Sequence, residues 1–417
     1  MTKTGKILLK IPLTSSRKML HCWFVIAVGG SRLGESCKDI KTEETCRNPM
    51  KIRGLWRIKR LWRAWKKGQL FQEIAQTVKE CAKRHPLGRV ALDLPFYSPT
   101  GFPSDDILQE LRSLNEFTYL PNGGNIGDIV IAMAEYQLFE KHKLKYEVIQ
   151  ERVRSENLVI GGGGGFVPYW DYGRKLKVIQ ENKHLKRIII LSSSFYDCPD
   201  FLEIVDERFT LFCRETKSRD YLLAAGVKGK VVLAHDMALL LTEDFQTVES
   251  RLYYRFKEIW QQIMAAIPRL TQQEGYTTAY FLRTDVESKT DWSKIGIQST
   301  LDLSICAHSD CRCPSDAVFY GKLFFAGIDM ADIVVTDRLH VGISSMLLGK
   351  EVFLLDNSYG KVSGVYEHSM RQCSRVHFVN DVQELPSLLE RTIAEGQIRK
   401  TANKGNLEQI GATLTRK

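Results

Sequence analysis

Between residues 116 and 245, short apolar runs alternate with stretches of mixed polarity. Segments 117–120 (FTYL), 157–160 (NLVI), 187–191 (RIIIL), 209–213 (FTLFC) and 231–233 (VVL) each give way to turn residues or polar side chains. Their length and their wealth of Val, Ile, Leu and Phe predict buried strands. Between them, 129–140 (IVIAMAEYQLFE) reads as an amphipathic helix, and 218–225 as a helix closed by Gly226 in the C′ position. The alternation restarts after a polar, Gln-rich stretch at 245–275. There 277–282, 333–336, 351–355 and 375–379 read as strands; 316–328, 339–348 (ended by Gly349) and a segment from Asp381 read as helices.

Short strands separated by helices predict a parallel sheet covered on both faces. Two such units in succession predict an α/β chain of two Rossmann-like domains, 116–245 and 246–400, facing a cleft. A basic extension at 1–115 precedes them and a tail at 401–417 follows. In such sheets ligands collect beyond the carboxyl ends of the strands, so those ends are where chemistry is sought.

Charge changes the picture only at one end. The chain carries a formal +10, yet residues 1–115 hold 22 Lys and Arg against 10 Asp and Glu, and the remainder 37 against 39. A body so nearly neutral is a poor candidate for tracking a nucleic-acid backbone. Within the extension, 19–28 (MLHCWFVIAV) is too short to span a bilayer; a signal-peptide core, a buried strand or sequence upstream of a start at Met50 all remain open. Segment 51–67 (KIRGLWRIKRLWRAWKK) has eight Lys and Arg and no acid. Leu55, Ile58, Trp62 and Trp65 fall on one helical stripe, a pattern suited to an anionic membrane surface and, as the blander alternative, to docking on the next domain. The expected location is cytoplasmic, with peripheral membrane contact through this helix.

Ten cysteines at irregular spacing suit a reducing compartment. The cluster Cys306, His308, Cys311 and Cys313 has no familiar zinc spacing and reads as a polar loop with reduced thiols, so no metal is assigned.

The candidate chemistry lies at strand ends. GGNIGD places Gly123, Gly124 and Gly127 at a strand-to-helix turn, where backbone N–H groups and the helix terminus favour an anion. It is neither G-x-G-x-x-G nor a P-loop, which disfavours common dinucleotide and nucleoside-triphosphate sites. Asp128 is equally an N-cap or a substrate contact. Five glycines, Gly161 to Gly165, include Gly162 and Gly163 and suggest a backbone held close to a ligand or another chain; a flexible linker is the alternative. In IVVTDRLHVG, Asp337 is expected to cap a helix whose first turn carries Arg338 and His340. About 200° separates those two on a regular helix, so both reach one ligand only if it sits over the helix end. Arg214 and Arg283 occupy similar strand ends, and Lys361 follows the next strand. Each cation alone would be a surface ion pair; four together, with a histidine, imply a small polyanion. His340 beside bound anions would stay protonated, as a general acid must. His235, His308 and His368 read as structural.

The block TDRLHVGISSMLLGKEVFLLDNSYGKVSGVY at 336–366 resembles the C-terminal signature of the polysaccharide pyruvyl transferases. GGNIGD, the glycine run, Arg214-Glu215 and Arg283 fall in the order of that family, over roughly 116–395. The resemblance implies a two-domain, GT-B-like fold and transfer of the enolpyruvyl unit of phosphoenolpyruvate to two hydroxyls of one sugar residue as a cyclic ketal. It implies His340 as the acid and Arg338 and Arg214 as the substrate clamp. Lys361 is added as a phosphate contact, and Asp128 as a contact to the acceptor or its nucleotide or lipid carrier. No cofactor is expected beyond phosphoenolpyruvate as co-substrate, and no nucleic acid. A GT-B glycosyltransferase using a sugar nucleotide is the nearest rival; a non-catalytic membrane-surface scaffold is a further one.

Overall fold

The computed structural model describes residues 5–15, 18–28, 88–91, 101–149, 152–170, 172–242, 247–250, 256–266, 270–297, 302–305, 311–396 and 398. The chain divides into one compact unit within 1–77 and another within 78–417. In the first, β1 (Gly5–Ser15) and β2 (Lys18–Val28) pair antiparallel, so the apolar run at 19–28 belongs to a strand. The basic helix expected at 51–67 and the tail at 401–417 lie outside the described residues. Among the described residues no helix is long and apolar enough to cross a membrane.

The second unit is mixed α/β. Its larger sheet joins β4 (Phe117–Leu120), β5 (Tyr146–Val148), β6 (Asn157–Ile160), β7 (Gly163–Phe166), β8 (Arg187–Phe195), β9 (Phe209–Cys213) and β10 (Lys230–Leu233). The order is β10-β9-β8-β6-β4-β5, with β7 also on β8, and every pairing is parallel. From β4 the chain moves first to one side, to β5, and then to the other, to β6. The gap between the ends of β4 and β6 is therefore a topological switch point, where the two following connections part and leave a crevice. A second sheet has the order β12 (Thr271–Gln273), β13 (Tyr276–Phe281), β14 (Ile333–Thr336), β15 (Glu351–Leu354), β16 (Val376–Phe378), parallel except for β12 on β13. A short antiparallel pair, β3 (Gly88–Ala91) with β11 (Thr247–Ser250), completes the strands.

Alternation along these strands sorts side chains between layers. Val159, Ile189, Leu191 and Phe212 of the larger sheet share one core with Val334, Val352 and Leu354 of the smaller. Their neighbours Leu158, Ile160, Ile188, Ile190 and Leu211 fill a second core, and Ile333, Val335 and Phe353 a third. Helices α1 (Asp105–Arg112), α2 (Ile126–Lys141), α3 (Gly173–Glu181), α4 (Thr216–Ala224), α5 (Phe256–Ala266), α6 (Pro314–Ile328), α7 (Leu339–Leu347), α8 (Lys361–Val365) and α9 (Leu385–Ala394) cover the sheets. The inner core contains α2 and α6.

Three expectations change. Helix α2 is buried on almost every side, from Ile126 to Phe139, so its carboxylate Glu135 lies inside the protein rather than on a wet face. The Gln-rich stretch at 245–275 holds β11 and α5, whose Ile259, Trp260 and Ile263 are buried. The glycine run is neither linker nor loop alone: Gly163–Phe166 is β7, paired to β8 through its backbone.

Candidate functional site

Every candidate residue sits past the carboxyl end of a parallel strand or at the start of the helix that follows. At the switch point, Asn125 caps α2: its side chain accepts from the Gly127 N–H at 2.8 Å, and Asp128 Oδ2 accepts from the Asn125 N–H at 3.1 Å. Asp128 is thus the reciprocal member of a capping box and not the N-cap. Its carboxylate also explains Gly124, where a Cβ would lie 2.4 Å from Asp128 Oδ2.

The glycine run is held by the protein itself. The Gly162 N–H donates to Glu135 Oε1 at 2.7 Å, and its carbonyl accepts from Asn122 Nδ2 at 3.0 Å. A Cβ on Gly162 would meet the Ser192 carbonyl oxygen at 2.6 Å, which rules out a side chain. Gly163 has a φ of +130°. Close approach therefore serves packing of β7 on β8 and α2. Glu135 also accepts from the Tyr119 hydroxyl. Burial, helped by the charges of Asp236 and Asp128, raises its carboxyl to about 8 against the pull of the Gly162 and Tyr119 hydrogen bonds, which favours its neutral form.

Two cation networks meet beside Gly164. In the first, Arg214 follows β9 and is wholly buried. It donates from Nε to Ser194 Oγ at 2.9 Å and from NH1 to Asp236 Oδ2 at 2.9 Å. His340 Nε2 approaches the same Asp236 oxygen at 3.5 Å. Burial alone would raise the Asp236 carboxyl; the hydrogen bond and charge of His340, with the Arg214 guanidinium, hold it well below the usual range. Gly127 makes room for the imidazole, since a Cβ there would lie 2.8 Å from His340 Nδ1. The Glu215 carboxyl beside Arg214 is pushed up by burial.

In the second network, Arg338 rather than Asp337 caps α7. The Thr336 hydroxyl takes the Arg338 N–H at 3.0 Å and donates to the Phe281 carbonyl at 2.6 Å, fixing the end of β14 to β13. The Arg338 guanidinium engages both oxygens of Asp302, and its NH2 lies 2.8 Å from Asp285 Oδ2. Arg283 NH1 bonds Asp285 Oδ1 at 2.9 Å and pairs with Glu287 Oε2 at 2.6 Å. Lys361 Nζ reaches that same Glu287 oxygen at 2.7 Å. Burial and the nearby Arg283 lower the Lys361 ammonium to about 8. Burial would raise Glu287, but Lys361 and Arg283 hold it at about 2. Asp337 accepts from the Arg283 backbone N–H at 2.7 Å, and burial raises its carboxyl to about 6.

The structure therefore brings Arg214 and His340 together on Asp236, and Arg338, Arg283 and Lys361 together through Asp285 and Glu287. Arg338 and His340 address different carboxylates. The cations are not bare: four of them face Asp236, Asp285, Glu287 and Asp302, a compensated cluster where an open cationic clamp was expected. What remains unmet is telling. Buried Arg283 Nε, Tyr359 OH and Ser192 Oγ have no hydrogen-bond partner. A Cβ on Gly164 would lie 3.3 Å from Arg214 NH2, 3.9 Å from Lys361 Nζ and 4.0 Å from Tyr359 OH, so two cations and a free hydroxyl converge there. Buried donors without partners are costly and gather where a ligand completes them.

Sequence reasoning missed Asp236, Asp285, Glu287, Asp302 and Tyr359. Asp236 had a usable signal, an acid just past a strand, and Tyr359 lies inside the 336–366 block; Asp285, Glu287 and Asp302 lie in loops without a pattern. His235 and His368 stack at 4.9 Å, with His235 Nδ1 2.8 Å from Ser369 Oγ; burial and then His368 lower His235 to about 4. His308 and Cys306 lie outside the described residues, while Cys311 is buried and Cys313 exposed.

Residues 125–359 match the family model described as polysaccharide pyruvyl transferase. General stress protein 30 of Bacillus subtilis (strain 168) is 23% identical over 313 residues, 66% of this chain and 83% of that protein. The putative pyruvyl transferase EpsO of the same organism is 27% identical over 286 residues, 61% of this chain and 85% of that one. Among solved structures, a functional uncharacterized protein from Klebsiella pneumoniae subsp. pneumoniae is similar with a TM-score of 0.50 and 26% identity, covering 66% of this chain and 96% of that chain.

Proposed function

Because the chain belongs to the polysaccharide pyruvyl transferase family, we propose that it moves the enolpyruvyl group of phosphoenolpyruvate onto two hydroxyls of one sugar residue of a polysaccharide or its precursor. The observation that carries this reading is the sharing of Asp236 Oδ2 by Arg214 and His340, beside buried donors that lack partners. A phosphate and a carboxylate on three carbons match guanidinium, ammonium and hydroxyl donors gathered around Gly164. Lys361, Arg283 and Arg214 take the anionic ends in this reading, and Arg338 holds Asp285 and Asp302, and through Asp285 the Arg283 network.

His340, oriented by ionised Asp236, donates its proton to the methylene carbon, which becomes a methyl group and leaves C2 electron-poor. One sugar hydroxyl adds to C2 and loses its proton. The C2–O bond to phosphate breaks, phosphate leaves with the electron pair, and the neighbouring hydroxyl closes the ketal, releasing a second proton. One of these protons restores His340; the other goes to the departing phosphate. The two sheets then read as the Rossmann-like halves of a GT-B-like arrangement, divided near residue 245, and 51–67 as a peripheral contact to an anionic membrane.

Reaction in D2O tests the step directly. Mass spectrometry should find one non-exchangeable deuterium in the ketal methyl, with one phosphate released per ketal. Transfer without deuterium removes the methylene protonation. Release of a nucleoside diphosphate from a sugar nucleotide, with no phosphate from phosphoenolpyruvate, replaces the whole reading with glycosyl transfer.

A further inference from the structure

Among the described residues, large apolar side chains exposed on the surface are few, and half of them gather beside the candidate site. Of six, Tyr169 (37% exposed) and Tyr196 (45%) stack on one ring, Tyr359, and Trp170 (42%), next to Tyr169 in the chain, bonds Glu287. Tyr359 stacks on Tyr196 at 5.7 Å with 7° between planes, and on Tyr169 at 5.7 Å with 25°. The Lys361 ammonium sits 5.3 Å from the Tyr359 centroid. Trp170 donates its indole N–H to Glu287 Oε1 at 2.7 Å, the carboxylate whose other oxygen takes Lys361 and Arg283. Tyr196 is further fixed where its N–H meets the Phe166 carbonyl at 3.1 Å. The platform is thus held from behind by the same residues that hold the candidate site.

We propose that Tyr169, Trp170 and Tyr196 form the subsite that receives pyranose rings of the acceptor glycan, next to the reacting centre. The inference rests on the pyruvyl-transfer reading and assigns its second substrate a place. An aromatic face is electron-rich and apolar. A pyranose ring carries a face of C–H groups, polarised positive by the neighbouring oxygens, so the two surfaces fit without charge. Scattered apolar residues on a surface need no explanation, but a rigid, contiguous group at the rim of a polar cluster marks a binding surface. Held in place before binding, these rings lose little freedom when a sugar arrives. A glycan lying across them would extend toward Tyr359 and Lys361 and present ring hydroxyls near Gly164.

Full-length wild-type, Tyr196→Ala, Tyr169→Ala, Tyr196→Phe and Tyr169→Phe proteins should be titrated on an array of gluco-, galacto- and manno-configured disaccharides to hexasaccharides. Phosphoenolpyruvate affinity is measured on the same proteins by calorimetry. Wild type is expected to bind at least one series, more tightly with length. Each alanine variant should lose about tenfold, the worth of one aromatic contact; the two phenylalanine variants should stay within about threefold. Phosphoenolpyruvate affinity should not follow the alanine loss. Wild-type binding to no glycan, or alanine variants equal to wild type, overturns the platform. Loss of glycan binding in those variants with no phosphoenolpyruvate binding by any protein keeps the platform and removes the donor instead.

Discussion

Glu135→Gln isolates the buried acid that carries the glycine run. The amide keeps an oxygen for the Gly162 N–H and turns its nitrogen to donate to the Tyr119 oxygen, so the shape survives while the Tyr119 hydroxyl loses its acceptor. That loss is the same at every pH; the pH-dependent part that Gln removes is the ionisation. In the fold the carboxyl is raised from 4.5 to about 8, chiefly by burial. A raised acid binds its proton more tightly folded than unfolded. Its stabilising effect is therefore complete below pH 4.5 and falls as pH rises toward 8. Between pH 5 and 8 the unfolded carboxyl is ionised and the folded one is still largely protonated, so wild type loses on the order of 3 kcal/mol from this group, at ~1.4 kcal/mol per pKa unit. The variant loses none of it. Denaturant unfolding of both proteins at pH 5, 6, 7 and 8 reads the difference, which should move in favour of Gln by that amount. Parallel stability curves would show that Glu135 ionises freely in the fold and would refute the reasoning.

Other substitutions test the rest of the site. Asp236→Asn keeps the shape beside Arg214 and His340 but removes the charge, and should lower kcat for pyruvyl transfer roughly 10²-fold or more, measured by phosphate release; unchanged turnover excludes Asp236 as the positioning group. Arg338→Ala leaves Asp302 and Asp285 without their cation, so it should cost about 3–5 kcal/mol of stability as well as activity; adding Asp302→Asn should restore part of that stability, and an unaltered unfolding midpoint in the single variant contradicts the pairing. Gly162→Ala drives a Cβ against the Ser192 carbonyl and should destabilise by about 1–3 kcal/mol, read by thermal unfolding. Lys361, lowered to about 8 by burial, is charged below that pH; if it holds phosphate, KM for phosphoenolpyruvate rises as pH passes above 8, and Lys361→Met flattens that rise.

Strands buried on both faces were legible because nothing competes with their pattern. The runs FTLFC and IVVT are strands over the residues expected, Phe209–Cys213 and Ile333–Thr336. Gly226 and Gly349 follow their helices with positive φ, as the spacing implied. Strand β7 was hidden because three of its four residues are glycine, whose pairing is a backbone property with no side-chain signature. Helix α2 was misread because Glu135 and Gln137 looked like a wet face; the hydrogen bonds that keep Glu135 inside come from residues 16 and 27 positions away. The cations were found by strand-end logic; Asp285 and Glu287, two and four residues past Arg283, drew no notice because loop acids carry no pattern, whereas Asp302, 36 positions from Arg338, is brought near only by the fold.

That difference bears on how such a site can work. A bare cluster of four cations would repel itself and be held apart by water, leaving no fixed geometry. Pairing them with carboxylates fixes the guanidinium planes, at the cost of the net charge that would draw in an anion. The protein leaves several polar groups outside this compensation: Arg283 Nε and the Tyr359 hydroxyl lack partners, and burial raises the Glu215 and Asp337 carboxyls above their usual range. If a polyanion binds here, directed donors at fixed positions would hold it more than excess positive charge would. Affinity should for that reason depend on donor geometry at Gly164 and on pH, and only weakly on ionic strength, because the attraction acts over hydrogen-bond distances well inside the screening length.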